Sequence, residues 1–133
     1  MKRLEFLMLF AYVVVSLLAI AADAFSGVAA LVRFKPIIPG MLKAGVPESW
    51  LTFPIGTLKT AGAVGLLLGL IGVPLIGTAA AIGLVLFFVC AIYTHLLARD
   101  YSPQFGLAIG FLLLNTAALV LVLISSGLVV QSI

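Results

Sequence analysis

The run FLMLFAYVVVSLLAIAADAFSGVAALV, Phe6 to Val32, contains one charged residue, Asp23. A helix crossing about 30 Å of hydrocarbon needs roughly 20 predominantly apolar residues, and this run exceeds that length. Lys2 and Arg3 before it, and Ala22-Asp23-Ala24 within it, have the layout of a cleavable signal peptide. The apolar pattern continues past that point to Val32, so we read the segment as an uncleaved first span.

Three further runs follow. Arg33 to Trp50 is polar and broken by Pro36, Pro39, Gly40, Gly45 and Pro47, all turn or breaker signals. Thr52 is placed to cap a second helix, with Pro54 in its first turn. That helix reaches Ile71 and carries Lys59; Gly72-Val73-Pro74 then breaks the chain. A third helix runs from Pro74 until Arg99-Asp100 stops it, and Ser102-Pro103 forms a cap and first position for a fourth. The expected helices cover about residues 5–31, 53–71, 74–98 and 103–128, with a polar loop over 33–52. Short breaks force sequential helices to pack antiparallel. The expected fold is therefore all-α: a single transmembrane domain over 1–133, built as an integral membrane antiparallel four-helix bundle. The runs are too long and too continuously apolar for the alternating strands of a barrel.

Composition agrees. Of 133 residues 65% are hydrophobic and 8% are charged, against roughly 25% charged in an ordinary soluble domain. So few charges cannot cover a soluble surface, and such high hydrophobicity excludes disorder. The net charge of +3 comes from basic residues scattered between apolar runs, as in loops beside membrane helices and unlike the basic face of a nucleic-acid binder. One cysteine, Cys90, excludes an intrachain disulfide. There is no HExxH, no histidine pair, no CxxC and no Gly-rich phosphate loop, so no metal and no tightly bound cofactor is expected. Gly65 and Gly69, Ala79 to Gly83, and Gly106 and Gly110 have the small-residue spacing that lets membrane helices approach closely.

Chain parity collects the ionisable groups. Asp23, Arg33, Lys35, Lys43, Glu48, Lys59, His95, Arg99 and Asp100 fall on the membrane face that carries the loop; Lys2, Arg3 and Glu5 fall on the other. At about 1.5 Å rise per residue, Lys59 lies roughly 8 Å inside its helix. A lone charge at the centre of a span costs at least ~2.5–3.5 kcal/mol, so it turns inward and seeks a partner. Asp23 with Lys59 is the expected pair and His95 the third member, with Thr57, Thr60 and Thr94 lining the same pocket. Simpler roles stand beside this one. Lys59 can snorkel to the interface, Asp23 can tie helices together, His95 can bond a backbone carbonyl, and Arg99-Asp100 can anchor a helix end. Trp50, Phe53 and Tyr101 fit an interfacial aromatic belt.

The stretches Ala44-Gly45-Val46-Pro47-Glu48-Ser49-Trp50-Leu51, Gly56-Thr57-Leu58-Lys59-Thr60-Ala61-Gly62-Ala63 and Gly65-Leu66-Leu67-Leu68-Gly69 follow one another closely. They lead on to Ala79-Ala80-Ala81-Ile82-Gly83-Leu84-Val85-Leu86 and His95-Leu96-Leu97-Ala98-Arg99-Asp100. In that order and spacing, over about residues 25 to 125, the chain resembles the DoxX-like family of small four-helix bacterial membrane proteins. The resemblance implies a multi-pass protein of the bacterial inner membrane. It further implies an anchoring or accessory subunit of a redox-related complex, in sulfur/quinone metabolism or oxidative stress, without an enzymatic reaction of its own. A quinone is the ligand it implies, with the lipid bilayer, redox subunits and a second copy of the chain as candidate partners and no nucleic acid. It carries over to Glu48, Lys59, His95, Arg99 and Asp100. The broader DoxX pattern often has Glu where this chain has Lys59, so acid chemistry does not transfer to that position. Two other classes stay open: a proton-coupled transporter using a lipid-facing Asp23, and a membrane isomerase pairing His95 with Asp23 or Glu48.

Arg33, Lys35, Lys43 and Arg99 outnumber Lys2 and Arg3, which places the loop face in the cytoplasm and both termini outside. A reporter fused to the C-terminus is expected to work only if it is active outside the cytoplasm. Activity of a cytoplasm-dependent reporter there would reverse the orientation.

Overall fold

Hydrocarbon offers no hydrogen-bond partner, so each crossing segment must satisfy its backbone internally. The computed structural model describes residues 2–73 and 75–132, with side chains described as far as Ser125. It contains α1 (Lys2–Leu31), α2 (Ile38–Lys43), α3 (Thr57–Leu70), α4 (Ile76–Leu97) and α5 (Pro103–Ser132), and no strand among the described residues. The helix start expected at Pro74 lies outside the described residues. Four segments are long and apolar enough to cross a membrane: α1, the stretch Glu48–Leu70 that ends in α3, α4, and α5. They form a closed ring in the order α1, α3, α4, α5, with α5 returning to α1. The protein is an all-α, multi-pass membrane bundle whose outer surface, with Phe6, Phe10 and Leu113 well exposed, faces lipid.

The second span departs from the expected 53–71. The residue before a proline is pushed out of the α region, and Phe53 is extended at φ −143°, ψ 132°. Thr52–Gly56 is therefore an irregular turn, and α3 begins only at Thr57. Thr52 caps nothing; its carbonyl instead accepts a hydrogen bond from Thr57 Oγ1 at 2.6 Å. The expected loop 33–52 is also partly helical, holding α2 and 3-10 turns at Lys35–Ile37 and Glu48–Leu51. Met41 of α2 and Leu51 pack on Ala30 of α1 in a small core of their own. This segment is a folded cap over one end of the bundle.

Helix ends explain how the chain turns. After α1, Arg33 N–H donates to Ala30 O (3.1 Å) and Phe34 N–H to Ala29 O (2.9 Å). After α4, Arg99 N–H donates to Leu96 O (3.1 Å) and Asp100 N–H to His95 O (2.9 Å). Both are Schellman motifs, which satisfy orphan carbonyls by putting one residue in the left-handed region. Glycine does this after α2 and α3, at Gly45 (φ 78°) and Gly72 (φ 109°), whereas α1 and α4 use Arg33 (φ 55°) and Arg99 (φ 52°). A side chain there costs about 1 kcal/mol. A cation at a helix C-terminus returns about 0.3–1 kcal/mol.

The main core is Ala19, Leu66, Ala81, Leu84, Phe88 and Ala118, drawn from all four spans. Small residues set the α3–α4 distance. A Cβ on Gly65 would lie 2.6 Å from Ala80 Cβ, and one on Gly69 would lie 2.5 Å from Gly77 Cα. Gly106 and Gly110, expected to do the same on α5, instead face outward, where an added Cβ meets nothing within 4 Å. Gly69→Val should therefore cost about 1–3 kcal/mol as overpacking against backbone, while Gly110→Ala should be neutral or mildly stabilising. Thermal melts of the detergent-solubilised protein would check the contrast.

Candidate functional site

Small side chains on facing helices leave a space. Ala21, Ala22, Ser26 and Ala29 on α1 look across to Gly83 and Ala91 on α4, and Met41 and Leu51 of the cap roof the gap. The result is a cavity of about 1010 Å³, at the upper end of the roughly 300–1,000 Å³ typical of ligand sites. Its wall is mostly apolar, with Ser26, Lys59, Thr94, His95 and Gln104 among the few polar side chains. Phe25, Leu86 and Leu107, on three different helices, line the cavity and are exposed, so it is open toward the lipid side.

Lys59 extends from α3 into this space. Its Nζ donates to Ser26 Oγ at 2.7 Å. The ammonium lies over the rings of Phe87 and Phe88, both at 5.6 Å, and of Phe111 at 5.7 Å. Cation–π contacts are worth about 0.5–2 kcal/mol each, more when desolvated. No ion pair joins Lys59 to Asp23. Asp23 is wholly buried and accepts a hydrogen bond at Oδ1 from Asn115 Nδ2, 3.2 Å away. Asn115 Nδ2 also donates to Phe111 O at 2.9 Å. Asp23 Oδ2 and Asn115 Oδ1 have no partner among the described residues. The expected pair is replaced by two neighbouring ones on α1. Asp23 and Ser26 stand three residues apart on one helix face; Ser26 meets Lys59 at the cavity, and Asp23 meets Asn115 of α5.

His95 is also in the cavity wall, but its partner is Asp100. The Schellman motif ending α4 bonds Asp100 N–H to His95 O. That turn folds the side chains together, with His95 Nδ1 3.0 Å from Asp100 Oδ2. An apolar contact usually fills this position of the motif; here the contact is polar. Ser102 N–H donates to Asp100 Oδ1 at 3.2 Å, and Asp100 is buried. Burial pushes the Asp100 carboxyl up, and its contacts with Ser102 and His95 outweigh that and hold it below the usual 3.8. A carboxylate only accepts, so Nδ1 carries the hydrogen and Nε2 is the acceptor of the neutral ring.

The remaining expected residues lie elsewhere. Glu48 pairs with Arg33 at 3.7 Å with both side chains half-exposed, a contact worth little. Arg99 is exposed at the end of α4 and makes no ion pair among the described residues. Thr60 packs against Gly27, where an added Cβ would lie 2.5 Å from Thr60 Oγ1. Thr94 lines the cavity with its hydroxyl donated to Cys90 O at 2.9 Å. Sequence reasoning did not single out Ser26, Phe87, Phe88, Phe111 or Gln104. Ser26 was traceable by its spacing from Asp23; the phenylalanines were indistinguishable from lipid-facing ones. Gln104 Nε2 donates to Ile37 O at 3.3 Å and ties the cap to α5.

A family model described as the DoxX-like family matches residues 14–125, from the middle of α1 to far along α5. The chain belongs to the DoxX-like family. The matched region of this DoxX-like protein contains the whole cavity, both polar pairs and the cap. No curated protein and no solved structure matches the chain significantly.

A folded-state carboxyl held below 3.8 contributes stability that is complete above that value and is lost as pH falls through the lower folded one. Asp100→Asn should therefore lower the melting temperature near neutral pH, and the gap to wild type should close at pH values below 3.8. Melts over a pH series would measure it.

Proposed function

We propose that this protein is an anchoring or accessory subunit of a redox-related complex in the bacterial inner membrane, and that its cavity receives a quinone headgroup. One observation carries the reading: Lys59 and His95 line the same largely apolar cavity. An isoprenoid quinone is an apolar tail ending in a ring with two oxygens, and it travels in the bilayer. Phe87, Phe88 and Phe111 supply flat apolar surface beside Lys59. Lys59 can donate to one ring oxygen. His95 Nε2 can accept the hydroxyl hydrogen of a quinol, with Asp100 stabilising the resulting imidazolium. Electrons pass to or from a partner subunit, since no residue of the cavity is a redox carrier.

A second reading, a small membrane isomerase, is favoured by the carboxylate-oriented His95 on a ligand-sized cavity. Its partner would be Asp100, because Asp23 bonds Asn115 and Glu48 pairs with Arg33. The transporter reading required a lipid-facing Asp23, and Asp23 is 0% exposed.

Purification in mild detergent followed by mass spectrometry tests the proposal. A quinone and a redox subunit are expected to co-purify, and Lys59→Met with His95→Ala should lose the quinone while keeping the subunit. Purified protein with neither would overturn the reading.

A further inference from the structure

The chain has four acidic residues in all, and each has its place. Glu5 lies in the first turn of α1, at the end of the bundle opposite the cap. Asp23 accepts from Asn115, Glu48 pairs with Arg33, and Asp100 bonds His95. None makes a contact ion pair with Lys59: Asp23 acts on it only across a distance, and the one hydrogen-bond partner of Lys59 among the described residues is the neutral hydroxyl of Ser26.

An ammonium has three donors, and Ser26 takes one. Phenyl faces lower the cost of the charge but supply no counter-charge. A cation withdrawn from water without an anion is costly unless one is brought to it. A ligand carboxylate would supply the contact ion pair that no residue of the chain makes with Lys59.

We infer that the cavity binds an anionic amphiphile, a long-chain carboxylate whose headgroup pairs with Lys59 and whose tail lies along the apolar wall. A carboxylate offers two oxygens to the two remaining donors of Lys59. One cation and one hydroxyl match a monoanion; a phosphate dianion would be left half-compensated. Access fits as well: Phe25, Leu86 and Leu107 line the cavity and are exposed, so a molecule dissolved in the bilayer can slide in tail and all. This inference rests on the reading that the cavity holds a ligand, and not on the ligand being a quinone.

The test uses the full chain in mild detergent with the fluorescent fatty acid cis-parinaric acid as probe. Stearate, stearyl alcohol, stearylamine and decylubiquinone are the competitors. A charge-assisted hydrogen bond is worth about 1.5–3 kcal/mol, so stearate should displace the probe at roughly tenfold or more lower concentration than the alcohol, and the amine should be weakest. Lys59→Met should erase the preference for acid over alcohol, Lys59→Arg should retain it, and Asp23→Asn should leave it intact. Equal displacement by acid and alcohol from the wild-type protein overturns the inference without any variant. So does a preference that survives in folded Lys59→Met. If decylubiquinone displaces the probe and stearate does not, the quinone reading stands and this one falls. If stearate displaces it and decylubiquinone does not, the reverse holds.

Discussion

A charge inside hydrocarbon must be matched by something, and this chain brings very few charges to match. With 8% of its residues charged, every carboxylate placed inside the bundle decides what every nearby cation can do. Committing Asp23 to Asn115 fixes α1 against α5. Committing Asp100 to His95 fixes the orientation of an imidazole at the cavity. What remains is Lys59, supported by aromatic rings and a single hydroxyl. The unusual chemistry of the site is the outcome of that allocation, more than of any one residue.

The helices were legible because their signal is long. Some twenty apolar residues are needed to cross the bilayer, and no other element of this chain competes with such runs. The break around Phe53-Pro54 was harder, because Thr52 and Pro54 look equally like a helix start; only the extended conformation forced on Phe53 decides between them. In sequence the cap reads as loop because α2 is six residues long, too short to show a periodicity. Pro36, Pro39 and Pro47, with Gly40 and Gly45, also advertise turns.

For the site, parity draws the polar residues to one half of the bundle but cannot pair them. Pairing depends on the rotation of each helix about its axis, and in α1 and α4 the apolar pattern runs nearly all the way round. Asp23 and Ser26 share one face of α1, and Lys59 meets Ser26. His95 and Asp100 are different: their contact follows from the geometry of one helix end. A five-residue spacing across a helix stop is a pattern that sequence alone can reveal once the stop is recognised as a Schellman turn.

Arg33 and Arg99 end α1 and α4, which stand at opposite corners of the ring. Both guanidinium groups belong at the water boundary, and each is fixed to the rigid last turn of its helix. Two such floats on a diagonal oppose tilting about the line joining the other two corners. The two guanidinium groups therefore mark the water boundary at two diagonal corners of the ring, and each marks it for the helix it ends.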